Sequence, residues 1–338
     1  MSNLNADTPP GGACAPFSPH PLLRSRHLQT VWGPLWRDHP PLQRRQEKLT
    51  LRDGDHLWLT WAGPVPRAGL PVVLILHGLS GCYDSHYARG LQTRLADQSV
   101  TSVVMNARGT AHRHNDRACI YHAGETGDLG DVIHALKERN PGGVILPVGY
   151  SLGGSRLLNY LAERPARCIP AAVAVSVPLQ LALCSAQLDR GFARVYRNRL
   201  LRELLQQLEA KKTHLRKTAP HQARRLDALG PLDSVRTFRD FDDHIVAPLH
   251  DFAGADDYYQ RCSAGPKLAR ITTPTLLIHA EDDPFMTPEV VPTPGTAGEA
   301  VKLEISPYGG HVGFVSGPLR APDYWLERRI PDFLAPWL

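Results

Sequence analysis

A serine between glycines is the residue of this sequence best placed to carry out chemistry. The stretch 149–154 (GYSLGG) follows an apolar run at 144–148 and precedes a segment with helical spacing. A G-x-S-x-G motif between a strand and a helix is typical of a nucleophile elbow, which exposes the serine hydroxyl above the sheet. Gly149 and Gly153 would let strand and helix approach closely. We therefore predict that Ser151 is a nucleophile.

Two later segments supply an acid and a base. Asp282 and Asp283 follow a predicted strand that ends at Ala280, and His311 lies in a glycine-rich loop after the next strand. Ser, Asp, His is the chain order of α/β-hydrolases, and ligand sites of open α/β sheets lie beyond the carboxyl ends of the strands. The chemistry this predicts is acyl transfer, in which His311 takes the Ser151 proton and an aspartate orients the imidazole.

The sequence leaves two candidates for the acid. Asp283 stands three positions after Ala280, the usual place for the acid in this fold, and Pro284 makes its backbone rigid. We favour Asp283 and keep Asp282 as the alternative.

Alternating apolar runs and helical segments predict the sheet that positions these residues. Short, wholly apolar runs are typical of strands buried on both faces of a parallel sheet. The expected strands are 71–76, 99–105, 144–148, 171–177, 274–280 and 301–305, and the expected helices include 86–97, 129–139 and 324–334. Asp53-Gly54 predicts a hairpin turn between the segments 43–52 and 56–62. The fold class is α/β, a mostly parallel, doubly wound sheet.

The domain organisation follows from where this alternation stops. Residues 1–16 are polar and predicted to be flexible, and 17–338 are predicted to form one domain. Within it, about 178–265 reads as a helical lid inserted above the sheet. Its leucines at 200–208 occupy one helix face. We expect that face to form an apolar channel over Ser151, with the arginines turned toward solvent: Arg197, Arg199 and Arg202.

Composition excludes several classes of protein. The 338 residues are 42% apolar and 21% charged, with a net charge of +5, as in a soluble globular protein. The basic residues are spread out, so nucleic acid is not an expected partner. The sequence contains neither an apolar window long enough to span a membrane nor a signal-peptide pattern. Six scattered cysteines favour a reducing, cytoplasmic location. Oligomeric state is not indicated.

Other polar clusters have structural interpretations that we favour. His112, His114 and His122 lack accompanying acidic or cysteine ligands, so we expect neither a metal nor a cofactor. The basic segment 197–217 can contact an anionic membrane surface peripherally, but a solvated lid face is the preferred interpretation.

Seven segments together resemble the YheT-like family of α/β-hydrolases, which includes the plant EMB8-type proteins and animal phospholipase-like members. The matching segments are HLQT (27–30), LHGLSG (76–81), NARG (106–109), YHAGETGD (121–128), GYSLGG (149–154), DDPF (282–285) and GGHVGF (309–314). Departures from the expected pattern are Ser155, where we expect asparagine, and Pro147 within the elbow strand.

The resemblance implies an esterase, or an acyltransferase with an alcohol acceptor, that uses no cofactor. It assigns the triad to Ser151, Asp283 and His311, and the oxyanion hole to the backbone N–H groups of Leu79 and Leu152. His77 and Gly78 would shape the oxyanion loop rather than catalyse.

Three functions therefore remain open: a hydrolase of short- to medium-chain acyl esters, an acyltransferase that shares its acyl-enzyme, and a non-catalytic scaffold. The retained serine and histidine favour the first two, and the sequence does not separate water from alcohol as the acceptor.

Overall fold

The computed structural model describes residues 14–164 and 166–338. Of the segment predicted to be flexible, 1–16, residues 1–13 lie outside the described residues. Ala15 is described, and its carbonyl accepts a hydrogen bond of 2.8 Å from the Trp325 indole nitrogen. This bond attaches the described part of the segment to the C-terminal region.

Eight strands form one sheet. They are β1 (Arg44–Thr50), β2 (His56–Ala62), β3 (Val72–Leu76), β4 (Thr101–Asn106), β5 (Ile145–Tyr150), β6 (Ala172–Val175), β7 (Thr275–Ala280) and β8 (Val301–Ser306). Their order is β1-β2-β4-β3-β5-β6-β7-β8. β1 pairs antiparallel with β2, and β2 with β4, while all later pairs are parallel. The predicted mostly parallel sheet and its N-terminal hairpin are confirmed.

Helices cover both faces of this sheet. The flanking helices are α1 (Arg26–Trp36), α2 (His86–Asp97), α3 (Gly127–Arg139), α4 (Leu152–Glu163) and α11 (Leu326–Leu334). The side chains of β3 alternate: Val73 and Ile75 pack with α2 and α11, whereas Leu74 and Leu76 pack with α3 and α4. Each fully buried aliphatic side chain contributes about 1.5–3 kcal/mol to the free energy of folding. Because β3 is buried on both faces, apolar residues are favoured at every position of the strand and not only at alternate ones.

Pro147 lies in an interior strand without breaking the sheet. It stands opposite Leu74 of β3, whereas the pairing of β5 with β6 begins only at Val148. Ile145 and Ser151 lie two and four residues from Pro147, so their N–H groups point to the same side of the strand as its nitrogen. Both donate toward the β6 side. An N–H at position 147 would therefore face β6 before the pairing begins, and the proline removes no hydrogen bond between the strands.

The region 178–265 is made of helices that pack above the sheet. They are α5 (Leu181–Leu188), α6 (Ala193–Thr218), α7 (Pro220–Asp227), α8 (Phe238–Phe241), a π-helical turn (Asp242–Val246), α9 (Ala247–Leu249) and α10 (Ala255–Cys262). Their apolar faces form a second core, which includes Leu204 and Leu208 and also contains Tyr121 and Leu152 from outside this region.

The arginines of α6 do not all behave as expected. Arg199 and Arg202 are exposed, but Arg197 is half-buried. Its guanidinium lies 2.7 Å from the Asp189 carboxylate, which draws the side chain back onto the end of α5. The expectation for Arg197 was therefore wrong.

A two-stranded ribbon near the C-terminus was not predicted. β9 (Val315–Ser316) and β10 (Asp323–Tyr324) pair antiparallel. Because Tyr324 belongs to this ribbon, the last α-helix begins at Leu326 rather than at residue 324. Strands of two residues are too short to give a periodic sequence signal.

Candidate active site

Ser151 occupies a strained turn between β5 and α4. Its φ of 50° and ψ of −120° fall in a region that residues other than glycine rarely adopt, and such strain clusters at functional sites. A Cβ on Gly149 would lie 2.7 Å from the Gly153 carbonyl oxygen, and one on Gly153 would lie 2.4 Å from that of Leu76. Only glycine fits at either position, as the elbow motif predicts.

Three side chains from three loops form a hydrogen-bonded chain at the carboxyl edge of the sheet. The Ser151 Oγ lies 2.9 Å from Nε2 of His311, and Nδ1 of His311 lies 2.8 Å from Oδ2 of Asp283. A proton on Nδ1 satisfies the carboxylate and leaves Nε2 free to accept the serine proton. The Asp283 side chain is 1% exposed and the His311 side chain is 10% exposed, so the hydrogen bond between them is shielded from bulk water.

The two adjacent aspartates have different partners. The second oxygen of Asp283 accepts a hydrogen bond of 2.9 Å from the Phe285 amide. Asp282 instead accepts a bond of 2.8 Å from the Gly310 amide, in the loop that carries His311. The structure therefore brings Asp283 to the imidazole and Asp282 to the backbone beside it.

Phe285 is a neighbour of the imidazole that the sequence reasoning did not single out. Its ring stacks on that of His311 with the centroids 4.0 Å apart and an angle of 9° between the planes. The DDPF segment contained the signal, but a phenylalanine after a loop proline is more often a core residue. The stacking limits rotation of the imidazole.

The segment HLQT, near the start of the chain, contacts the loop that carries His311. We call this loop, between β8 and β9, the histidine loop. Gln29 is fully buried, and its side chain donates to the carbonyls of Leu23 and Val315 and accepts from the Val315 amide. Thr30 Oγ1 accepts a bond of 3.0 Å from the His311 amide. Sequence reasoning missed these two roles because Val315 and His311 lie more than 280 positions from Gln29 and Thr30.

The two amides assigned to an oxyanion hole are free to receive a ligand. Among the described residues, neither the Leu79 nor the Leu152 backbone N–H donates a hydrogen bond. Both leucines line the same cavity as Ser151. The N–H of Leu152 also lies at the N-terminus of α4, where the helix dipole favours negative charge.

His77 is buried beneath this loop. Its Nε2 accepts a bond of 3.0 Å from the Ala107 amide, and its Nδ1 donates to the Gly78 carbonyl at 2.8 Å. Burial lowers the pKa of His77 to about 4, so the ring is neutral near pH 7. A Cβ on Gly78 would lie 3.1 Å from Cβ of Ser151. Both residues are thus placed to shape the loop.

Two cavities meet at Ser151. The first, named the lid cavity after the predicted lid 178–265, has a volume of about 140 Å³ and is lined by residues that include Leu204 and Leu208 of that region. The α1 cavity is larger, about 470 Å³, and approaches from α1 and α2. Leu79, Ser151 and His311 border both, so a ligand at the serine can extend in two directions.

His122 and His114 pack against different histidines. The rings of His122 and His250 meet at an angle of 57° with the centroids 4.5 Å apart, and His122 also lines the lid cavity. Burial lowers the pKa of His122 well below the usual value. His114 instead faces His214. Among the described residues, no helix combines the length and apolar character needed to cross a membrane.

Comparisons with known proteins place the chain in a family. Residues 71–318 match the family described as "alpha/beta hydrolase fold". The chain is 40% identical over 326 residues to "Putative esterase YheT" of Escherichia coli K12, with 96% of this chain and 94% of that protein covered. It is 29% identical over 314 residues to "Phospholipase ABHD3" of Mus musculus, with 90% and 75% covered.

A solved structure supports the fold. The alpha/beta hydrolase GrgF from a Penicillium species superposes with a TM-score of 0.56 at 17% identity, and the match covers 87% of this chain and 99% of that one. The chain belongs to the α/β-hydrolases and, within them, to the YheT-like family.

Proposed function

We propose that this protein hydrolyses carboxylic esters of short- to medium-chain acids through an acyl-enzyme on Ser151. The observation that carries the proposal is the hydrogen-bonded chain from the Ser151 hydroxyl through His311 to Asp283. Relatives named esterase and phospholipase give further support.

The proposed reaction begins at the serine. Ser151 Oγ attacks the acyl carbonyl carbon while its proton passes to Nε2 of His311, and the N–H groups of Leu79 and Leu152 stabilise the oxyanion. The imidazolium then protonates the departing alcohol, which leaves an acyl ester on Ser151. Water attacks this ester with His311 again as base, and the acid is released. Asp283 stabilises the imidazolium in both halves.

The proposal includes the lid and the two cavities. The lid, about residues 178–265, closes over the serine, and the lid cavity receives the acyl chain because its walls are mainly apolar. The α1 cavity then leads toward the alcohol side of the ester. The α1 cavity is also the observation that supports the alternative function, acyl transfer, because an alcohol held there can replace water as the acceptor. Product partitioning with and without added ethanol measures how much transfer occurs.

The volume of the lid cavity predicts a chain-length profile. A cavity of about 150 Å³ holds a molecule of benzene's size, so about six carbons fit into the 140 Å³ available. Each buried methylene contributes about 0.8 kcal/mol, so kcat/KM should rise roughly tenfold for every two carbons and then level off near six. Steady-state kinetics with p-nitrophenyl esters of graded length test this.

Enlarging the cavity should move that plateau. Leu204→Ala and Leu208→Ala remove side chains that line it, so the plateau should shift to longer chains. Leu205→Ala is the matched control, because Leu205 lies on the same helix but is not among the residues that line this cavity. A flat native profile, or a plateau that stays in place after the first two changes, would show that the lid does not bind the acyl chain.

The position of the histidine loop gives a further prediction. Thr30→Val removes the acceptor of the His311 amide, and an unpaired amide costs about 1–3 kcal/mol. We expect kcat to fall roughly tenfold with little change in KM, because the imidazole is displaced while the acyl cavity is intact. Thr30→Ser keeps the hydroxyl and should retain near-native kcat. Equal kcat values for the two variants would contradict a positioning role.

A further inference from the structure

The wall of the lid cavity contains a carboxyl group that the proposed reaction does not use. Asp242 lines the cavity and is the first residue of the π-helical turn Asp242–Val246. π-helical turns are rare and occur frequently at functional sites. Burial raises the pKa of Asp242 to about 7, with the nearby Asp243 adding to the effect.

Only half of this carboxyl group is satisfied by the protein. Tyr259 Oη donates to Oδ2 at 2.7 Å, and Ser185 Oγ lies 3.1 Å from the same phenol oxygen. Oδ1 has no hydrogen-bond partner among the described residues, yet it keeps accessible surface. An accessible carboxyl oxygen in the wall of a mainly apolar cavity can still take a hydrogen-bond partner from whatever occupies the cavity. If Asp242 only held the helices together, its hydrogen bond to Tyr259 would be sufficient. The unpaired Oδ1 is therefore available to a ligand in the cavity.

The surroundings restrict what that ligand can be. A carboxylate on the acyl chain would be repelled by Asp242 when the side chain is ionised. A cation would need the ionised carboxylate as its partner, and burial disfavours that form of Asp242. A hydroxyl group is neutral and both donates and accepts hydrogen bonds. It can therefore pair with either protonation state of Asp242.

We propose that the lid cavity selects acyl chains that carry a hydroxyl group, which hydrogen-bonds to Oδ1 of Asp242. This inference rests on the proposed function, because it takes the lid cavity as the acyl site. It adds a substrate class, hydroxyacyl esters, to that function.

Binding to a non-turning-over protein tests the inference directly. The Ser151→Ala protein is titrated calorimetrically with ethyl hexanoate and with ethyl hexanoates hydroxylated at the third to sixth carbon. A hydrogen bond to a charged group contributes about 1.5–3 kcal/mol, so at least one hydroxylated ester should bind roughly tenfold more tightly than ethyl hexanoate. If none of the four positions is preferred, the proposal is wrong.

Substitutions of Asp242 show whether this residue supplies the preference. In the Ser151→Ala background, Asp242→Leu should abolish the preference and bind ethyl hexanoate more tightly than before. Asp242→Ala carries the same expectation for the preference if the leucine variant does not fold. Asp256→Asn is the matched control, because Asp256 is exposed and paired with Arg239. A preference that survives both changes at Asp242 would overturn the assignment.

Turnover by the native protein separates this inference from the proposed function. The preferred hydroxylated ester should have a kcat/KM roughly tenfold above that of ethyl hexanoate. Hydrolysis of both esters with equal kcat/KM would overturn the hydroxyl selectivity alone. Absence of Ser151-dependent hydrolysis of any ester would instead count against the proposed function.

Discussion

Replacement of Ser151 by alanine should lower kcat for p-nitrophenyl esters by on the order of 10³-fold or more, because it removes the hydroxyl on which the proposed acyl-enzyme forms. The same change should abolish covalent labelling by a fluorophosphonate probe, which reacts with an activated serine. The fold should persist, since alanine has the same Cβ as serine and adopts the elbow dihedrals at similar cost. Steady-state kinetics and mass spectrometry of the labelled protein measure the two effects.

Ser155 offers a matched control one turn further along α4. It is fully buried and its Oγ has no hydrogen-bond partner among the described residues, so Ser155→Ala removes a hydroxyl from the same helix without leaving a partner unpaired. We expect this variant to keep near-native kcat and full labelling. Labelling that persists in Ser151→Ala, or that is lost in Ser155→Ala, would contradict the assignment of the nucleophile.

The sheet was predictable because its strands are short and buried on both faces. Runs such as 72–76 have no polar side chain, and that pattern is typical of a central strand in a parallel sheet. The strand order was not predictable, since β3 lies between β4 and β5 and crossovers leave no mark in local periodicity. The β9–β10 ribbon was missed because its pairing depends on tertiary contacts.

The residues of the candidate site likewise divide into those that the sequence predicted and those that it did not. Ser151, Asp283 and His311 were chosen because each lies in a segment that follows a predicted strand, and parallel strands end at one edge of a sheet. Gln29, Thr30 and Phe285 were not chosen for the site. The first two reach the histidine loop through contacts that span almost the whole chain, and a stacked ring cannot be told from a core ring by sequence.

The predicted lid, 178–265, shows where helix periodicity stops being informative. The leucines at 200–208 identify an amphipathic helix, and Leu204 and Leu208 do line the cavity beside Ser151. Periodicity says nothing about Asp242, however, because its segment forms a π-helical turn whose spacing differs from 3.6 residues. Nor does it reveal that Asp189 draws Arg197 onto α5. Both features depend on neighbours from other helices.

The two aspartates of the DDPF segment should respond differently to the same substitution. In Asp282→Asn the amide oxygen can still accept the bond from the Gly310 amide, so the histidine loop keeps its anchor. We expect at most about a tenfold loss in kcat for this variant. It is a matched control for Asp283→Asn, since the two changes remove the same charge from adjacent positions.

Asp283→Asn should lower kcat by about 10³- to 10⁴-fold, and the hydrogen bonds around it explain why. The Phe285 amide donates to one oxygen of Asp283, so an asparagine there must turn its own oxygen toward Phe285 and its NH₂ group toward His311. Nδ1 of His311 then has to accept a hydrogen bond, which moves the ring proton to Nε2 and prevents it from taking the Ser151 proton. Nitrogen-15 NMR should report the Nε2–H tautomer in Asp283→Asn and the Nδ1–H tautomer in Asp282→Asn. Equal losses of kcat would mean that the two carboxylates act jointly, and the reverse ranking would assign the role to Asp282.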